Sequence, residues 1–201
     1  VPLGIVSATH PNSLADLVVR LLGVLGLSIP NFWLAIMLLL VSSRYLGWLP
    51  PPIFVPFFRD PLTNLAQMWM PAVSLALLMV ANIMRMTRST MLEVLGQDYV
   101  QVARAKGLAE GRVVARHGLR NAAIPIVTLV GMNVGYLLGG AVIVEQIFGL
   151  PGIGWMIATS IYQRDYTTVQ SVVLVAAVMF ALVNLAVDVL YVALDPRIRY
   201  A

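Results

Sequence analysis

The chain carries few of the side chains that perform covalent catalysis. Its 201 residues include 9 Asp and Glu, 2 His and no Cys. The lack of cysteine excludes a thiolate nucleophile, a thiolate metal site and a disulfide framework. His10 and His117 are isolated and make no metal-ligand spacing, and no G-x-x-x-x-G-K-[ST] segment is present to bind the phosphates of ATP. We therefore predict that this chain is not an enzyme and holds neither a metal nor a cofactor of its own.

The densest group of polar side chains lies at residues 98–121, between two long apolar segments. Asp98 and Gln101 fit a capping box that starts a helix, and Gly107 stands where a tight helix end needs a left-handed residue. A second short helix is predicted at about 109–117. Such a two-helix loop is typical of a surface that docks on a partner protein, and its simpler interpretation is a solvated basic loop.

We assign the candidate docking role to ten residues of this loop, which are Asp98, Tyr99, Val102, Ala103, Arg104, Gly107, His117, Leu119, Arg120 and Asn121. The apolar residues of the predicted docking face are Tyr99, Val102, Ala103, Val113 and Val114. We interpret His117 as structural, because a lone histidine at a helix end more often bonds carbonyl groups than serves as a ligand or an acid.

Two polar residues of the last apolar segment, Asn184 and Asp188, are four positions apart and so share a helix face. A carboxylate within a membrane span is costly and usually faces water or protein. Asp188 therefore either lines an inner vestibule or forms a buried pair with Arg85, Arg88 or an arginine of a partner. We favour the pair, because Asp188 lies nearer the end of its segment than the middle.

The third long apolar segment contains further polar candidates. Asn133 and Tyr136 lie on adjoining faces and could line a pathway. Glu145 closes the segment, where it either forms an outer gate, binds an external protein or is an interfacial carboxylate without a role.

Glycines recur at every fourth position of the same segment, at Gly131, Gly135 and Gly139. Small residues at this spacing let two helix backbones approach closely. Their neighbour is either a second subunit, a pore-lining seam or another helix of this chain, and the spacing leaves these alternatives open.

The composition is that of a membrane protein. Apolar residues make up 60% of the chain and charged residues 11%, whereas charged residues are near a quarter of an ordinary soluble domain. The net charge of +4 does not indicate nucleic acid binding, because the basic residues interrupt apolar runs instead of lining one face. We predict an all-α transmembrane bundle with four complete spans and the tail of an earlier one, at about 21–41, 65–84, 121–144, 167–187 and 1–8.

Prolines and charges refine this prediction. Pro30 and Pro71 fall inside spans, Pro125 falls in the first turn of one, and the second span is predicted to continue as a helix to Leu95. The segments at 44–64 and 145–166 are predicted loops, the first kept from regular helix by five prolines including Pro61, and the second with a short helix near 155–158. Ten of the 13 Lys and Arg residues lie in 10–20, 85–120 and the C-terminus, which the positive-inside rule places in the cytoplasm.

Several segments resemble one known family. Ala103-x-x-x-Gly107, nine further residues and His117-x-Leu119 resemble the cytoplasmic loop of binding-protein-dependent ABC importer permeases. The family loop begins Glu-Ala-Ala, where this chain has Gln101-Val102-Ala103. It ends here as His117-Gly118-Leu119-Arg120-Asn121, which resembles the peptide and nickel branch. Further matches are Leu27-Ser28-Ile29-Pro30-Asn31-Phe32-Trp33, Leu46-Gly47-Trp48-Leu49-Pro50, Glu145-x-Ile147-Phe148-x-x-Pro151-Gly152-x-Gly154, Arg164-Asp165-Tyr166 and Leu194-Asp195-Pro196-Arg197-Ile198-Arg199.

The resemblance implies a type I ABC importer permease subunit, here a fragment lacking its N-terminal part, in a bacterial or archaeal inner membrane. It implies a second homologous permease, two ABC ATPase subunits that bind ATP and Mg, and an extracytoplasmic solute-binding protein as partners. The implied cargo is di- or oligopeptides, with nickel or glutathione as alternatives. An ATP-independent channel or secondary carrier is the alternative from another class, and it would need an ion site near the midplane and inverted repeats.

Overall fold

The computed structural model describes residues 1–138 and 141–194, and every regular element in these ranges is helical. The predicted all-α class is therefore confirmed. The helices are α1 Pro2–Thr9, α2 Leu14–Ser28, α3 Asn31–Val41, α4 Pro61–Leu95, α5 Asp98–Ala105, α6 Glu110–Arg112, α7 Arg120–Leu138, α8 Val142–Phe148, α9 Ile153–Tyr162 and α10 Tyr166–Leu194. Two π-helical stretches extend this set, Ser42–Leu46 after α3 and Val113–Leu119 between α6 and α7.

Two helices are each long and apolar enough to cross a membrane, α4 over its whole length and α10 as far as Ala193. Two further pairs of helices are each interrupted by a bend. One pair is α2 with residues 31–46, and the other is residues 110–137 with α8. The number of spans rises to four only if each bent pair counts as one span. The predicted number of spans thus stays a prediction.

The first predicted span is not one helix. α2 ends at Ser28, and Pro30 precedes α3 in an extended conformation with ψ of 137°. A residue before proline avoids the helical region, so the helix breaks at Ile29–Pro30. Pro71 behaves as predicted, because α4 runs through it and continues to Leu95. Pro61 instead begins α4, so its assignment to the loop was wrong.

The third predicted span also differs. The helix that starts at Glu110 does not stop at His117 but continues through the π-helical stretch into α7, so Pro125 lies deep inside it and not in its first turn. α7 ends at Leu138, and Gly139 lies outside the described residues. Residues 145–166, predicted as a loop, are mostly helical, and the predicted short helix near 155–158 is part of α9.

The chain forms two compact units. The first comprises residues 1–26 and 80–133 and the chain from Leu182 onward, and the second comprises residues 27–79 and 134–181. The first unit is held together by an apolar core and by a buried ion pair. The core comprises Ala8, Met91, Leu95, Val100, Val113, Ala122 and Ile126.

The ion pair of the first unit joins three helices. The Asp16 side chain is fully buried, and its two carboxylate oxygens accept hydrogen bonds from Arg88 Nε at 2.7 Å and Nη2 at 3.1 Å. Ser7 Oγ donates to the same carboxylate at 2.5 Å, and the backbone N–H of Asn12 donates at 3.0 Å. Asp16 is thus buried, although the sequence around it, from His10-Pro11-Asn12-Ser13 to Arg20, is polar and is typical of a surface turn.

The second unit holds its proline-rich segment with side chains of α4. Gln67 donates to the carbonyl oxygens of Pro51 and Ile53 and accepts from the Val55 N–H, while Asn64 donates to the Val55 carbonyl at 2.8 Å. A proline segment cannot form its own helical bonds, so these amides satisfy its backbone groups. The segment is thus an ordered part of this unit.

Candidate functional site

The candidate docking loop begins with α5, whose first helical residue is Asp98. Gln97 is the N-cap, and no side chain bonds the free amides there. The predicted capping box of Asp98 and Gln101 is therefore wrong. The Asp98 carboxylate lies in the first turn, where a negative charge interacts favourably with the helix dipole.

Gly107 ends α5 in the predicted way. Its φ is +77°, and the Leu108 N–H donates to the Ala103 carbonyl at 3.4 Å while the Gly107 N–H donates to the Arg104 carbonyl at 2.9 Å. These two bonds form a Schellman motif, which requires a left-handed residue at the position of Gly107. A Cβ at Gly107 would meet no heavy atom within 4 Å. The need for glycine therefore comes from the backbone conformation and not from crowding.

An ion pair joins the two sides of this turn. Arg104 donates two hydrogen bonds to the Glu110 carboxylate, from Nη2 at 2.7 Å and from Nε at 3.1 Å. The Arg104 guanidinium lowers the pKa of Glu110, and that carboxylate raises the pKa of Arg104. Both side chains are exposed, so the pair fixes the geometry of the turn more than it adds stability.

α5 has two distinct faces. Val100 and Ala103 are buried in the core of the first unit, as is Val113 of the following helix. Ala103 and Val113 therefore do not belong to a docking face, and that part of the prediction was wrong. Tyr99 and Val102 are 45% and 52% exposed, an outward pair of large apolar side chains beside the exposed polar residues Asp98, Gln101 and Arg104.

The outward face of α5 is linked directly to the helix that leads into α7. The Asn121 amide donates to the Tyr99 hydroxyl at 2.9 Å and to the His117 carbonyl at 2.8 Å. Leu119 packs against the apolar core, and Arg120 is exposed. His117 does not stand at a helix end, and its ring makes no hydrogen bond in the described part of the chain, so the predicted carbonyl-bonding role was wrong.

Gly118 is a site residue that the sequence pattern did not single out. It is buried, and a Cβ there would lie 3.0 Å from Met91 Cε and 3.2 Å from Leu95 Cδ2. This close contact seats the π-helical stretch on the end of α4. The signal that could have revealed it is a glycine within a helical pattern. Glycine lowers the stability of a helix, so its presence there indicates a close packing contact or a function.

The glycine seam packs within this chain. A Cβ at Gly131 would collide with the side chain of Val187, and a Cβ at Gly135 would collide with the ring of Phe180. Both neighbours belong to α10, so for these two glycines the described contact is with the chain's own helix. Gly139 lies outside the described residues, and its role stays a prediction.

Replacing Gly135 with leucine is expected to disrupt this contact, whereas Gly111→Leu is a control at a glycine with no heavy atom near its Cβ position. Overfilling a close helix contact costs about 1–3 kcal/mol. We expect Gly135→Leu to lower the detergent melting temperature and the yield of assembled protein well beyond Gly111→Leu. Equal melting temperatures for the two variants would contradict the seam.

The remaining pathway candidates have different surroundings. The Asn133 Nδ2 is buried and has no hydrogen-bond partner in the described part of the chain, and Tyr136 is 58% exposed.

Asn184 and Asp188 are exposed on α10. Asp188 makes no ion pair in the described part of the chain, and Arg88 bonds Asp16. The predicted buried pair of Asp188 with Arg85 or Arg88 is therefore not formed, while a pair with an arginine of a partner stays a prediction.

Glu145 connects α8 to α9. Its Oε2 accepts the Trp155 N–H at 2.7 Å, which satisfies one of the free amides at the start of α9. The carboxylate lies over Gly152, where a Cβ would collide with it, and a Cβ at Gly154 would lie 2.8 Å from Val142 Cα. The spacing of Glu145, Gly152 and Gly154 therefore builds a tight helical hairpin, which gives Glu145 a structural role.

Comparisons with known proteins agree with this architecture. The sequence model of a family described as binding-protein-dependent transport system inner membrane component matches residues 1–200. The oligopeptide transport system permease protein AppB of Bacillus subtilis is 41% identical over 202 residues, covering 100% of this chain and 64% of its own length. The dipeptide transport system permease protein DppB of Alkalihalophilus pseudofirmus is 41% identical over 217 residues, covering 98% and 65%. The glutathione transport system permease protein GsiC of Pectobacterium atrosepticum is 42% identical over 202 residues, covering 98% and 62%.

The chain thus spans somewhat less than two thirds of the length of these relatives. The family match extends over nearly all of its own residues, including the candidate docking loop and the α8–α9 hairpin. This chain belongs to the family of binding-protein-dependent transport system inner membrane components.

Proposed function

We propose that this chain is the transmembrane permease subunit of an ATP-driven importer of di- or oligopeptides. The proposal rests on the contacts that α5 makes. This short helix is buried on one side in the core that contains the end of α4, exposes Tyr99 and Val102 on the other, and is bonded to the base of α7 through Asn121. A partner that moved α5 would therefore act directly on the helices that continue into the spans.

The partner that fits this role is an ATPase, because this chain has no phosphate-binding loop of its own. ATP and Mg then bind to two partner subunits, and an extracytoplasmic protein delivers the cargo to a path shared with a second permease. Peptide cargo is supported by the names of the relatives AppB and DppB, while GsiC supports glutathione as an alternative. Glutathione is itself peptide-like, so both substrates suit one path.

Under this proposal the loop at residues 85–120 and the C-terminus face the cytoplasm of a bacterial or archaeal cell, and the proline-rich loop at residues 50–61 faces outward. Ten of the 13 Lys and Arg residues lie in 10–20, 85–120 and the C-terminus, which supports that orientation by the positive-inside rule.

Reconstitution of the whole complex in lipid vesicles tests the function. Radiolabelled dipeptide should accumulate in the compartment that α5 faces. This accumulation should require ATP in the same compartment and the binding protein on the opposite side of the membrane. Accumulation that is independent of ATP would instead establish a channel or a secondary carrier.

The orientation has its own prediction, because single cysteines can be placed on either side of the membrane in a chain that has none. We expect Thr63→Cys to react with an impermeant thiol reagent added to intact cells and Gln97→Cys to react only after the cells are opened. Labelling of Gln97→Cys from outside would reverse the proposed topology.

A further inference from the structure

The second unit contains an apolar cavity of about 480 Å³. Its walls come from the middle of α4, including Met68, Pro71, Leu75 and Met79, and from the start of the α8–α9 hairpin, including Val144 and Glu145. Cavities of this size hold small organic molecules. The cavity is therefore large enough for a bulky apolar side chain together with its backbone.

Glu145 is the only charged residue among the described residues that line this cavity. Its Oε2 is occupied by the Trp155 N–H, whereas its Oε1 makes no hydrogen bond in the described part of the chain. An oxygen of the half-buried Glu145 carboxylate that has no protein donor favours a cationic partner, because a charge-assisted hydrogen bond is stronger than a neutral one. Phosphate and carboxylate groups would be repelled, and a plain hydrocarbon offers the oxygen no donor.

We propose that this cavity holds the N-terminal residue of a transported peptide, with its apolar side chain against α4 and its α-ammonium group on Glu145 Oε1. The inference rests on the proposed function and narrows its substrate class. Peptides with a free amino terminus and a large apolar first residue are the expected ligands. No bond is made or broken, since the site only binds and orients the cargo.

The charge can be separated from the helix cap by substitution. Glu145→Gln keeps an oxygen that accepts the Trp155 N–H but removes the negative charge. Asp165→Asn is the matched control, because Asp165 also accepts an N–H at a helix start, that of Thr168 at 3.1 Å, and does not line the cavity. We expect Glu145→Gln to reduce leucyl-alanine uptake by the reconstituted complex about tenfold and Asp165→Asn to leave it within twofold of the wild type.

The apolar wall is tested by a change in specificity. Ala76 lines the cavity, and Ala76→Phe should fill it. The variant is expected to lower the ratio of leucyl-alanine to glycyl-leucine uptake at least fivefold. A merely structural role of Ala76 would lower both rates together and leave the ratio unchanged.

A photoreactive probe locates the peptide directly. A dipeptide with a benzophenone side chain on its first residue is added during turnover and irradiated, and the labelled segment is identified by mass spectrometry. Label on Met68 or Met79 is expected, and label confined to Met132 or Met156, which lie outside the cavity, overturns the proposal. Equal uptake by Glu145→Gln and Asp165→Asn, or an unchanged ratio for Ala76→Phe, also overturns it. A wild-type complex that imports no peptide would instead contradict the proposed function itself.

Discussion

Replacing Gly107 with valine is expected to abolish ATP-coupled uptake while the subunit still inserts in the membrane. Gly107 has φ of +77° and completes the two bonds that end α5. A β-branched residue is strongly disfavoured at positive φ, and holding it there costs about 1–3 kcal/mol. The tight turn after α5 would open, and α5 would move away from the helix that carries Asn121. A partner docked on α5 would then no longer move α7.

Two further variants make this prediction specific. Gly107→Asn should retain most of the activity, because asparagine tolerates the left-handed region better than other residues. Gly111→Val controls for valine at a nearby glycine with negative φ and open space. The measurement is ATP hydrolysis stimulated by the loaded binding protein, and we expect at least a tenfold loss for Gly107→Val alone. Wild-type stimulation by Gly107→Val would show that the turn is not needed for coupling.

Replacing Asp16 with asparagine is expected to cause the largest loss of stability. The variant leaves the Arg88 guanidinium with a neutral partner in a position where the Asp16 side chain is fully buried. Removing one partner of a buried ion pair costs on the order of 3 kcal/mol. The loss should appear as a lower melting temperature in detergent, with weaker association of α1 and α2 with α4.

Asp188→Asn is the matched control, because the Asp188 carboxylate is exposed. It should leave the melting temperature of the isolated subunit unchanged. The double variant Asp16→Asn with Arg88→Met should recover part of the loss, since it removes the unpaired charge. If Asp16→Asn melted at the wild-type temperature, the pair would have no role in holding the three helices.

The features that the sequence predicted depend on local chemistry. The all-α class and the continuation of α4 to Leu95 follow from hydrophobic runs and their length. The role of Gly107 was predicted because a tight helix end needs a residue with positive φ, which few residues other than glycine adopt. Such signals lie within a few residues of each other and do not depend on distant contacts.

The features that the sequence did not predict depend on tertiary contacts. Asp16 resembled a surface residue because its partners, Ser7 and Arg88, belong to different helices. Ala103 resembled part of a docking face because a short amphipathic helix has no intrinsic mark that distinguishes its core side from its partner side. For Glu145 the sequence left a gate, a binding site for an external protein and a carboxylate without a role as alternatives. Its bond to the Trp155 N–H could not be predicted, since it forms only when α8 and α9 fold onto each other.

The break at Pro30 shows a limit of hydropathy. Residues 21–41 carry no charge and are mostly apolar, so length and composition predicted a single helix. The contrast with Pro71, which α4 accommodates, shows that the same residue type has two outcomes set by its neighbours. Pro30 follows Ile29, which lies outside α2, whereas Pro71 lies inside a long helix between the fully buried Met70 and Ser74.

The outward face of α5 is, in our proposal, the surface that meets an ATPase. A photoreactive amino acid at Val102, which is 52% exposed, tests this in membranes that contain the whole complex, with the same residue at Thr63 as the control. We predict a covalent adduct between the Val102 variant and a P-loop subunit, and no such adduct from Thr63. An ATPase adduct from Thr63, or none from Val102 in a complex that hydrolyses ATP, would contradict it.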